Sequence, residues 1–88
     1  MKQVEAAKRT VELAKSKGMT IDATPAGPGE ISLPHLEQMV KTMEDDQTMS
    51  ESKLGRWLGW IQCAVVAAGV GLGLEDMKEI NKTYSGEE

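Results

Sequence analysis

From Leu54 to Gly69 the chain carries only two polar side chains, Arg56 and Gln62. The segment Lys53-Leu54-Gly55-Arg56-Trp57-Leu58-Gly59-Trp60-Ile61-Gln62-Cys63-Ala64-Val65-Val66-Ala67-Ala68-Gly69 reads as one helix, apolar nearly all the way round. A helix without a polar face must be buried on all sides or pressed against a partner. Leu54, Trp57, Leu58, Ile61, Val65 and Ala68 form one stripe along it. Gly55, Gly59, Cys63 and Ala67 form a second row at four-residue spacing, and small residues in such a row let another helix approach closely. Glycine inside a helix costs up to ~1 kcal/mol against alanine, and close helix contact is the simplest reason for two of them.

The length limits how that helix can be covered. Eighty-eight residues make one domain with a thin core. Phe is absent, so the core must come from Leu, Ile, Val, Ala and Met with two indoles as its bulky pieces. Enclosing every face of residues 54–68 within one such monomer is difficult. Part of the helix, with Trp57 or Trp60 at its centre, is therefore expected in a symmetric dimer interface, where Trp is favoured. The expected contact set is Trp57, Trp60, Arg56, Gly59 and Cys63, with Met39 and Met43 as adaptable neighbours.

The rest of the chain supplies further helices. Over residues 2–17, Val4, Ala7, Val11 and Ala14 recur at helical steps and Gly18 follows as a stop. This stripe is made of small residues, so the helix is expected to dock least firmly. Residues 19–32 contain Thr24-Pro25-Ala26-Gly27-Pro28-Gly29 and read as a loop. A second helix spans 33–45, capped by Ser32, with Leu36, Met39, Val40 and Met43 on one face. Its end carries Glu44-Asp45-Asp46, the unfavourable sign for the helix dipole. Ser50 caps the central helix, flanked by the staple pair Met49 and Leu54. A last helix runs from about Leu74 to Tyr84, and residues 85–88 are expected to fray. The fold class is all-α: one small helical bundle over 1–88, with three main helices plus a weaker N-terminal one, as a homodimer.

Charge and residue types narrow the function. The formal charge is −4, with 14 acidic against 10 basic residues and no basic cluster, which argues against nucleic-acid binding. A single cysteine cannot form an internal disulfide, and the first residues lack the apolar run of a secretion signal, so a cytoplasmic setting is expected. His35 is the lone histidine and has no Cys or second His at ligand spacing, so no metal or cofactor is expected. Cys63 reads as a buried small hydrophobe, because a nucleophilic thiol wants a positive, partly exposed setting. Arg56 reads as an internal clamp that pairs with Glu44-Asp45-Asp46 or Glu75-Asp76, or stacks on an indole. Gln62 needs a hydrogen-bond partner if buried. No nucleophile–base–acid set is visible, which points to a non-enzymatic protein. Leu54 to Leu74 approaches the length of a bilayer span, but Arg56, Gln62 and five glycines interrupt it, so a membrane role stands as a rival only.

Ser50-Glu51-Ser52-Lys53-Leu54-Gly55-Arg56-Trp57-Leu58-Gly59-Trp60-Ile61-Gln62, followed by Leu74-Glu75-Asp76-Met77-Lys78-Glu79-Ile80-Asn81-Lys82, resembles small accessory proteins of tailed bacteriophages and enterobacterial prophages. They share a Lys-Leu-x-Arg-Trp-Leu-Gly-Trp-like helix and a short charged helix after it. The likeness covers roughly residues 36–84 and leaves 1–30 unmatched. It implies a phage or prophage accessory protein in a bacterial host, binding a host or phage protein, and carries over no site. The alternatives are a small membrane-associated phage protein and a structural or regulatory homo-oligomer with no separate partner.

Overall fold

A computed structural model describes residues 2–19 and 33–85. Within them the chain forms α1 (Gln3–Ser16), α2 (Leu33–Asp45), α3 (Glu51–Ala67) and α4 (Leu74–Thr83), with no strand among the described residues. The protein is a small all-α bundle. Ser32 as a cap, the loop 20–32 and the tail 86–88 lie outside the described residues.

The helix ends follow from local chemistry. α1 stops where Gly18 takes a φ of +102°, a left-handed conformation that other residues adopt at a cost. Met19 N–H then donates to the Ala14 carbonyl at 3.0 Å and Gly18 N–H to Lys15 at 3.1 Å, satisfying two orphan carbonyls of the last turn. Met19 is itself buried, so the closing turn is anchored in the core. α2 ends at Asp45, and Asp46 accepts from the Thr48 N–H and hydroxyl. Those two hydrogen bonds hold the Asp46 carboxyl below its ordinary pKa, the hydroxyl contributing most. At the start of α3 the Ser50 hydroxyl accepts from Lys53 N–H at 3.1 Å. Ser50→Ala is expected to cost about 1 kcal/mol and to lower the thermal midpoint by roughly 4–8 °C. A circular-dichroism melt checks this, and an unchanged midpoint refutes the cap.

α1 packs against all three other helices, most extensively against α3, so the bundle is organised around it. The expectation of a loosely docked first helix is thereby corrected. Ala6, Ala7, Thr10 and Ala14 are completely enclosed, because short side chains let the two backbones come close. Gln3 reaches Gly55 so closely that a Cβ there would lie 3.2 Å from the Gln3 Nε2. Lys2 N–H also donates to the Tyr84 carbonyl at 2.7 Å, tying the start of α1 to the end of α4. Along α2, Lys8 pairs with Glu44 and Lys15 with Glu37, both at 3.0 Å. Hydrogen bonding to Glu44, and then its charge, raises the Lys8 pKa above the ordinary value. These pairs are half exposed and add little stability.

Candidate interaction surface

An α-helix advances about 100° per residue, so Ile61 and Cys63 lie on opposite sides of α3. The Ile61 side, with Leu58 and Val65, is buried against the bundle. The Cys63 side, with Gly59 and Ala67, faces solvent. Cys63 was expected inside and is exposed; this is a correction. Among the described residues, the other three helices leave the far side of α3 uncovered. Of the two glycines in the row, α1 approaches Gly55, and among the described residues nothing lies within 4 Å of a Cβ built on Gly59.

α3 and α4 do not approach each other closely along their backbones. Besides apolar packing of Met77 and Ile80 in the shared core, a partly buried polar triad links them. Gln62 Nε2 donates to Asn81 Oδ1 at 2.8 Å and to the Thr10 hydroxyl at 3.3 Å. Asn81 Nδ2 returns a hydrogen bond to Gln62 Oε1 at 3.1 Å, and Thr10 donates to the Ala6 carbonyl at 2.8 Å. Gln62 thus has the partner its burial demands. Above this triad the helices leave an open groove of about 440 Å³, lined by Gly59, Cys63, Val66 and Ala67 from α3 and by Leu74, Met77, Lys78 and Asn81 from α4.

Two large apolar side chains are exposed: Leu74, 66% exposed, on the α4 wall of the groove, and Trp60, 47% exposed, on α3. Trp57 is half-buried, with the Lys53 ammonium 5.5 Å from its ring centre. Trp60, Trp57 and Arg56 border a second, shallower depression with His35 and Met39. Arg56 is exposed and is not the internal clamp expected of it. The carboxylates proposed for it are engaged elsewhere: Glu44 with Lys8, Asp45 with Lys41, Asp46 with Thr48, Glu75 with Lys78 and Asp76 with the Gly73 N–H. Met39 and Met43 belong to the core rather than to a contact surface. The expected set therefore divides. Trp60, Arg56, Gly59 and Cys63 share one exposed face, Trp57 lies at its edge, and the methionines are inside.

Leu74 was missed as a surface residue. The signal was its place at the first position of α4, off the buried pair Met77 and Ile80. Among the described residues no three His, Cys, Asp or Glu side chains gather as a metal site, and no helix is long and apolar enough to cross a membrane. Comparison with protein families, curated proteins and solved structures finds no match to this chain.

Proposed function

We propose that this protein is a non-enzymatic binding protein that acts by docking the α3–α4 face onto a protein partner. The carrying observation is the pairing of exposed Trp60 and Leu74 with an open, mostly apolar groove floored by Gly59, Cys63 and Ala67. Isolated exposed apolar residues are ordinary, but an open apolar groove with Leu74 on its wall, and Trp60 exposed on the helix that lines it, offers apolar surface of the kind interaction sites use. The glycine, cysteine and alanine of the floor have no long side chains to order on binding, which keeps the entropic cost of docking low. The resemblance to phage and prophage accessory proteins supports a setting in the bacterial cytoplasm.

A photo-crosslinking amino acid placed at Ala67, expressed in bacterial cells, is expected to give protein adducts that the same residue at exposed Lys41 on α2 does not. Equal yields from both positions would overturn the reading. With the purified partner, Trp60→Ala is expected to weaken binding by about 2 kcal/mol or more, roughly thirty-fold in Kd. An unchanged Kd by calorimetry would remove Trp60 from the site.

A further inference from the structure

We draw no further inference here: the strongest candidate, the open apolar groove between α3 and α4 over Gly59, Cys63 and Ala67, carries nothing beyond the docking reading, because nothing in the structure shows what covers it.

Discussion

Ile61→Ala is expected to destabilise the fold by about 2–5 kcal/mol and to lower the thermal midpoint by roughly 10–30 °C. Ile61 is fully enclosed, on the side of α3 that faces the bundle. The substitution deletes three carbons, worth about 0.8 kcal/mol each in transfer from water. The remainder is the cavity, and here the surroundings cannot readily close it. α1 already lies close to α3 through Ala6, Ala7 and Ala14, which have no longer side chain to swing into the space. A domain of this size carries stability of about 0.05–0.15 kcal/mol per residue, so the loss is a large share of the whole. Trp60→Ala is the matched control. It removes more atoms, but from an exposed site, and should shift the monomer's unfolding far less. Urea titration of both variants decides the matter. Comparable midpoints for the two would mean that the buried side of α3 is misassigned.

The contrast between those two residues shows which parts of this protein were legible as sequence. Helix ends were. Ser50 and Gly18 start or stop backbone by chemistry that depends on a few neighbours only, and each does so where expected. The stripe Leu58, Ile61 and Val65 was also legible, because it repeats at helical spacing. Which side of α3 stays open was not. A helix apolar on every face carries little directional signal, so periodicity cannot separate Ile61 from Cys63. Cysteine is among the residues most often buried, and that general preference misplaced Cys63. The alanines of α1 misled for a related reason. Small side chains bury little area each, which reads as weak docking, yet α1 packs against α3 more extensively than any other pair of helices in the described residues. Arg56 failed as a clamp because its candidate partners found nearer cations and backbone N–H groups, a competition that only the tertiary arrangement resolves. The groove itself depends on how far α4 stands from α3, and the side chains that hydrogen-bond across the two helices, Gln62 and Asn81, are nineteen apart in the chain.

That pair leads to the second large effect. Asn81→Leu is expected to cost about 1–3 kcal/mol, because it leaves the buried Gln62 amide with its oxygen unpaired and only the 3.3 Å bond to Thr10 on its nitrogen. Gln62→Leu should cost less. Asn81 is only half-buried at the edge of the groove, so water can serve the amide that is stranded there. The double replacement Gln62→Leu/Asn81→Leu strands neither amide, and its loss should fall below the sum of the two singles by about 1 kcal/mol or more. Simple additivity in denaturant titrations would show that the two amides do not act as a unit. Stability and function are expected to separate in the double variant. Leucines can bridge α3 and α4 as well as amides do, but they do not dictate one spacing, whereas two reciprocal hydrogen bonds do. The groove over Gly59, Cys63 and Ala67 should then lose its defined width, and photo-adducts from position 67 should fall although the chain remains folded. A double variant that keeps full adduct yield would place the determinant of the groove elsewhere, in the 68–73 connection with its left-handed Gly69 and Gly71.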